Sequence, residues 1–224
     1  MEYSEKIDFP ENKPAKLIFE FGIENEESRV KYTLENTARY KGANYLVILP
    51  KKLTLDEANL LKTEELRNFI TQEYDPIPYE TAKKAIEFEW PEKFKILKRG
   101  LETYGLQPDN EYKIILTRYG VGGSYDSGSS PKAVINNIGY KKDHSAIETV
   151  CHEIVHLCID AWIKKYQVPQ QLKERIVDLI MKDIFGDKQL QKIDPELGDK
   201  INRLFESAKD NIEEFIKQVG NLNL

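Results

Sequence analysis

The sequence predicts a mixed fold of the α+β class, and two kinds of apolar pattern lead to this prediction. Segments in which apolar residues recur at every second position, as in β-strands, stand out in the first fifty residues. Apolar stripes with helical spacing dominate the rest of the chain, interrupted by two short strand-like runs. A chain of 224 residues with both patterns has enough interior for a real hydrophobic core.

The N-terminal region is expected to form a small antiparallel β meander. Alternating apolar residues indicate its first two strands: Leu17, Phe19 and Phe21, followed by Val30, Tyr32 and Leu34. The apolar run Tyr45–Pro50 is predicted to be a third, buried strand that proline ends. We therefore divide the chain into a β-rich segment, residues 1–52, and a second region, residues 53–224.

The elements of the second region follow from helical stripes and apolar runs. Thr54 is expected to start a helix, because a threonine side chain can cap the first backbone amides. The inner face of this helix is predicted to carry Leu60, Leu61, Leu66, Phe69 and Ile70. The patterns predict helices over 79–104, 143–166, 169–185 and 195–219, and strands over 112–117 and 133–136. Pro91 is expected to break or kink its helix after Trp90, since proline lacks an amide hydrogen. The glycine-rich stretch 120–131 lacks the Gly-Lys-Ser/Thr of a nucleotide-binding loop and is predicted to be a flap or a hairpin.

Charge and hydropathy exclude several functional classes. The chain has 33 basic and 38 acidic residues, a formal charge of −5, so no basic excess exists to neutralise nucleic-acid phosphates. The longest apolar run is far too short to cross a bilayer, and the first residues contain no apolar signal core. We therefore expect a cytoplasmic protein that has no membrane span and no nucleic-acid partner.

The segment between Glu148 and Cys158 has the pattern of a metal site. It contains His152-Glu153-Ile-Val-His156, which uses two of the three histidines in the chain. Four residues turn a helix by ~400°, so both imidazoles project from one face and can reach one ion. Glu153 is offset by ~100° and can touch a water on that ion without displacing it. The alternative is that both histidines lie in the core and form hydrogen bonds with backbone or carboxylate groups.

A catalytic zinc ion needs a third protein ligand and an open position for water. Glu148 and Asp160 lie too far along the same helix to converge with both histidines on one ion. Glu174 and Asp178 share one face of the next predicted helix, which a short connection should fold back against the first. Glu174 would then face the histidines, and Asp178 could accept a ring N–H from one of them. The alternative for this pair is an exposed charged face.

This combination of a His-Glu-x-x-His helix followed by Glu174-x-x-x-Asp178 resembles the zincin metallopeptidases of the gluzincin branch, which have the thermolysin-type ligand set. The resemblance extends over about residues 92–185. It implies a zincin-like catalytic core made of a small sheet, a backing helix, the motif helix and the glutamate helix. Around that core we expect the N-terminal meander and a C-terminal helix.

The resemblance also implies a role for each matched residue. His152, His156 and Glu174 would bind one Zn²⁺ per chain, and Asp178 would support a ligand histidine from outside the coordination sphere. The implied reaction is hydrolysis of peptide bonds in a peptide or protein substrate by a metal-activated water, with Glu153 as the general base.

The sequence leaves three points open. The oxyanion donor of thermolysin-like enzymes has no C-terminal counterpart here, and the nearest candidates are Tyr119, Tyr125 and Tyr140. The strand over 133–136 could offer a free edge to an extended peptide. A non-catalytic zincin-like binding module with structural or no metal is the main alternative function, and a metal-dependent amidase acting on a small molecule or cell-wall peptide is a third.

Overall fold

The computed structural model describes residues 13–42, 47–126, 132–135, 146–186 and 193–222 of the chain. Its helices are α1 (Ile23–Glu35), α2 (Thr37–Gly42), α3 (Leu55–Asn59), α4 (Thr63–Glu73), α5 (Ile77–Thr103), α6 (Ala146–Lys165), α7 (Gln170–Phe185), α8 (Pro195–Ala208) and α9 (Ile212–Gly220). Its strands are β1 (Lys16–Glu20), β2 (Glu111–Leu116), β3 (Gly123–Asp126) and β4 (Lys132–Ile135). The predicted mixture of helices and strands is confirmed.

Within the described residues, four strands form one sheet in the order β1-β2-β4-β3. β1 and β4 both pair in parallel with β2, whereas β3 pairs antiparallel with β4. Every second side chain of β2 is buried, as its period of two requires: Tyr112, Ile114 and Leu116. Because β4 has a partner on each side, the prediction that this strand offers a free edge is wrong. β1 and β3 are the two edge strands of this sheet.

The predicted antiparallel meander at the N-terminus is also wrong. β1 is its one regular strand among the described residues, and it pairs in parallel with β2, which lies far away in sequence. The predicted second strand lies inside α1. Of the predicted third strand, Tyr45 and Leu46 lie outside the described residues, and Ile48 makes an isolated antiparallel bridge with Gly120. The domain division at residue 52 stays a prediction.

The pattern of burial in α1 gives the physical reason for this error. Its buried residues recur at helical spacing: Glu26, Arg29, Val30 and Thr33. Three of these four are polar, so a search for apolar periodicity cannot find the buried face. The apolar alternation of Val30, Tyr32 and Leu34 is coincidental, since Tyr32 is 41% exposed.

Two predicted helices are divided in the structure. The Thr54 hydroxyl accepts the Glu57 amide and Glu57 accepts the Thr54 amide, which confirms the predicted cap, but α3 ends within two turns. Leu60, predicted to face the interior, is 85% exposed in the link before α4. The C-terminal helix predicted over 195–219 is split into α8 and α9, and the Asn211 side chain caps the second of them.

α5 is continuous through Pro91, so of the predicted break or kink after Trp90 the break is wrong, and the kink stays a prediction. Pro91 is exposed, whereas Trp90 and Phe94 on either side of it are buried. A proline on the outer face of a helix places its ring in solvent, and the packing of the inner face holds the two halves together.

α6 is the central helix of the fold and carries the His-Glu-x-x-His segment. It contacts α5, α7 and α9 as well as β3 and β4. Five of its apolar residues are almost fully buried, and each stabilises the fold by roughly 1.5–3 kcal/mol: Ile147, Val150, Ile154, Val155 and Ile159. Packing on several sides fixes the direction in which its polar side chains point. None of the described helices combines the length and apolar character that a membrane span requires.

Candidate metal centre

The structure brings three of the predicted site residues together: His152 and His156 from α6, and Glu174 from α7. The link between the two helices is short and reverses the chain. Gln167 adopts a left-handed φ of 51°, and the Val168 amide donates to the Ile163 carbonyl at 3.0 Å. This helix-ending turn folds α7 back against α6, so that Glu174 reaches the two imidazoles.

The ligand atoms of this cluster form a nearly equilateral triangle. His152 Nε2 and His156 Nε2 are 3.1 Å apart. Glu174 Oε2 lies 3.4 Å from the first of these nitrogens and 3.2 Å from the second. Ligand atoms held ~2.0–2.1 Å from a tetrahedral zinc ion are ~3.3–3.4 Å apart, so the triangle has the size that zinc requires. Two imidazole nitrogens and one carboxylate oxygen are also a donor set that zinc accepts.

The two oxygens of Glu174 have different surroundings. Oε2 faces the histidines, while Oε1 accepts a hydrogen bond from Gln170 Nε2 at 2.5 Å and lies 3.8 Å from Lys173 Nζ. Burial alone would raise the pKa of Glu174, but its contacts with both imidazoles outweigh burial and hold the pKa well below the usual range. The carboxylate is therefore ionised and directs one oxygen to the place where an ion would bind.

Asp178 lies one turn beyond Glu174 on α7 and is 6% exposed. Its Oδ1 is 3.8 Å from His152 Nδ1, so the carboxylate is on the opposite side of that ring from Glu174. This distance exceeds a direct hydrogen bond. The predicted position beside His152 is present, and the predicted role as hydrogen-bond acceptor stays a prediction.

Glu153 is 4% exposed and its carboxylate lies against the backbone of β3. A Cβ atom placed on Gly123 would be 2.1 Å from Glu153 Oε1 and 2.8 Å from Thr149 Cγ2. Only a residue without a side chain leaves room for the carboxylate at this point. Gly123 is thus the residue of β3 that leaves room for the Glu153 carboxylate.

Tyr125, two residues further along β3, covers His156. The two rings are stacked, with centroids 5.0 Å apart and an angle of 13° between their planes. The Tyr125 hydroxyl donates to Asp160 Oδ1 at 2.9 Å. Lys173 Nζ lies 4.9 Å from the centre of the Tyr125 ring and donates to its hydroxyl at 3.4 Å. These contacts restrain the orientation of His156 from the side opposite its own helix.

The tyrosines considered as oxyanion donors have other partners. The Tyr119 hydroxyl donates to Glu73 at 2.7 Å. Tyr125 is bonded to Asp160, and burial together with this hydrogen bond raises the pKa of Tyr125. Tyr140 lies outside the described residues. An oxyanion donor therefore stays unassigned in the described part of the chain.

Sequence reasoning missed Gly123 and Gln170, and it did not foresee that Tyr125 stacks on His156 or that Lys173 contacts Tyr125. Gln170 and Lys173 precede Glu174 by one turn and by one residue, and helical spacing could have found them. Gly123 and Tyr125 share one face of a strand. Their contact with α6 depends on the pairing of β3 with β4, which no local sequence pattern predicts.

No known protein family, curated protein sequence or solved structure matches this chain. The function is therefore inferred from the geometry of the side chains. A cavity of about 470 Å³ lies elsewhere, between α1, α3 and α4, and is lined by residues such as Val30, Leu66 and Ile70. Among the residues that the structure describes, its lining contains no cluster of metal-ligating side chains, and it is not the candidate site.

Proposed function

We propose that the protein is a zinc-dependent metallopeptidase of the gluzincin type. The observation that carries this proposal is the triangle of His152 Nε2, His156 Nε2 and Glu174 Oε2, with sides of 3.1–3.4 Å. A bound zinc ion would supply Lewis acidity, polarising the peptide carbonyl and lowering the pKa of water to about 7.

Glu153 is proposed as the general base. It follows His152 in the chain, is almost fully buried and lies against Gly123 of β3. Its carboxylate would take a proton from the attacking water and return it to the nitrogen of the leaving amine. The buried position excludes bulk water from the carboxylate and holds it in one orientation.

The edge of β3 is proposed as the place where a peptide substrate binds. β3 is an edge strand, and within the described residues it pairs with β4 alone. The strand backbone on the other side can pair with an extended peptide by main-chain hydrogen bonds. Gly123 and Tyr125 of this strand contact Glu153 and His156, so a peptide bound here would run past the cluster.

Metal analysis and metal removal test the proposal directly. The purified protein is expected to contain one zinc ion per chain and to hydrolyse members of a mixed peptide library. Dialysis against a chelator should abolish this hydrolysis, and one equivalent of zinc should restore it. The measurements are elemental analysis and mass spectrometry of the products.

Other outcomes of this experiment favour the alternatives. Stoichiometric zinc without cleavage of any peptide would favour the non-catalytic binding module. Cleavage of small amides but not of longer peptides would favour the amidase. A protein that binds no zinc under any condition would contradict all the metal-dependent proposals.

A change at Gly123 tests the position of Glu153. Gly123→Ala is expected to lower kcat by about 10- to 100-fold, because the new methyl group would displace the Glu153 carboxylate. Zinc content should be unchanged, since Gly123 does not touch the ligand atoms. Gly122→Ala is the matched control, because a Cβ there meets nothing within 4 Å. Equal activities of the two variants would contradict the proposed contact.

A further inference from the structure

One face of α1 is buried although it is polar. Glu26 is 0%, Arg29 is 5% and Thr33 is 0% exposed, and their spacing of three and four residues places them on the same side of the helix. Burying an acid, a guanidinium and a hydroxyl costs desolvation that specific hydrogen bonds must offset. The partners of these side chains therefore indicate what this face of α1 does.

Glu26 holds the backbone just after β2. Its Oε1 accepts the Arg118 amide at 2.6 Å, and its Oε2 accepts the Tyr119 amide at 3.3 Å. The Tyr79 hydroxyl from α5 donates to the same carboxylate. One buried carboxylate thus binds the amides of two consecutive residues at the point where the chain leaves the sheet.

Arg29 holds the next part of the same segment. Its Nη2 donates to the Val121 carbonyl at 2.6 Å, and its Nη1 donates to Ser124 Oγ at 2.8 Å. Gly120 lies between the residues that Glu26 binds and those that Arg29 binds, and the chain passes close to α1 at this point. Gly120 has a left-handed φ of 97°, and a Cβ there would lie 2.5 Å from Arg29 Nε, so glycine is required on both counts.

The segment that α1 holds leads directly to the candidate site. Ser124 lies between Gly123, whose backbone supports Glu153, and Tyr125, whose ring covers His156. Because side chains alternate along a strand, Ser124 faces Arg29 while its two neighbours face α6. A shift of residues 118–124 relative to α1 would therefore move the contacts of both Glu153 and His156.

We propose that Glu26 and Arg29 are positioning residues, which fix residues 118–124 so that Gly123 and Tyr125 stand in register with α6. The catalytic part of this inference rests on the proposed peptidase function. The positioning itself does not, because it is a property of the apoprotein. α1 lies outside residues 92–185, so this inference goes beyond the resemblance to gluzincins.

The Arg29→Met variant tests the inference, with Lys31→Met as the matched control. Both changes remove a cation from α1, but Lys31 is exposed. In Arg29→Met we expect amide hydrogen exchange in residues 118–126 to rise by about tenfold or more, with exchange in α6 and α7 unchanged. We also expect unchanged zinc content, a fall in kcat of about 10- to 100-fold and a change in KM below about threefold. The control should match the wild type in every measurement.

Exchange and activity separate the two proposals. Faster exchange confined to residues 118–126 supports the positioning role even if no substrate is ever cleaved, in which case the peptidase proposal fails alone. Unchanged exchange in this segment would overturn the positioning role, whatever the activity. Faster exchange throughout the protein would also overturn it, since Arg29 would then act on global stability.

A conservative change provides a second measurement if Arg29→Met does not fold. Arg29→Lys keeps the positive charge. A lysine lacks the forked geometry of the guanidinium, so it can donate well to the Val121 carbonyl or to Ser124 Oγ but not to both. Exchange in residues 118–126 should then lie between the wild type and the methionine variant. Exchange equal to the wild type would mean that charge, and not the paired hydrogen bonds, is what the segment requires, and this would overturn the proposed geometry.

Discussion

Replacing Glu153 by glutamine is expected to lower the rate of peptide hydrolysis by roughly 10²- to 10⁴-fold, the usual contribution of a general base. The amide keeps the size of the side chain but cannot take a proton from water. Zinc content and thermal stability should stay close to those of the wild type, because Glu153 is not among the three clustered residues His152, His156 and Glu174. Steady-state kinetics on the best library peptide, together with elemental analysis, would measure both effects.

Glu148→Gln provides the control for this variant. Glu148 is an exposed acid on the same helix, and the substitution removes the same charge. It should leave kcat and zinc content unchanged. If Glu153→Gln kept full activity, Glu153 could not be the base, and a different group beside the cluster would have to take the proton.

Replacing Glu174 by alanine is expected to weaken zinc binding by more than about 100-fold and to abolish hydrolysis. The loss should exceed the 10- to 100-fold that is typical of residues outside the coordination sphere. The variant removes a carboxylate whose Oε2 lies within 3.4 Å of both imidazole nitrogens. Competition with a chromophoric chelator would measure the zinc affinity of the folded protein.

Two further variants separate ligand loss from a packing defect. Glu174→Gln keeps the volume of the side chain and removes its charge, so it should also weaken zinc binding strongly. Gln171→Ala changes an exposed position on α7 and should have no effect. Wild-type zinc affinity in both Glu174 variants would show that this carboxylate is not a ligand, and the proposed site would have to be abandoned.

The clustering of His152, His156 and Glu174 could be predicted because their geometry is local. His152 and His156 are one helical turn apart, and the spacing alone determines that they share a face. Glu174 follows after a short link, so few arrangements of the two helices are possible. The predicted and observed bounds of α6 and α7 agree to within a few residues because both helices carry strong apolar stripes.

The N-terminal region could not be predicted in the same way, because its buried face is polar. Glu26 and Arg29 are more deeply buried than Leu34 of the same helix, and both bind backbone groups 92 residues away. Such long-range hydrogen bonds leave no periodic signal in the sequence. The contacts of Gly123 and Tyr125 with α6 were missed for the same reason, since they depend on the order of strands in the sheet.

β1 joins the sheet through a contact between distant parts of the chain. Lys16 and Glu111, which are opposite each other in β1 and β2, are 95 residues apart in sequence. Closing a loop of this length costs roughly 4 kcal/mol of chain entropy before any pair forms. α6 and α7, by contrast, are joined by a short turn and meet at little entropic cost. We therefore expect α6 and α7, which carry the clustered histidines and glutamate, to pack together early in folding. β1 is expected to join the sheet late.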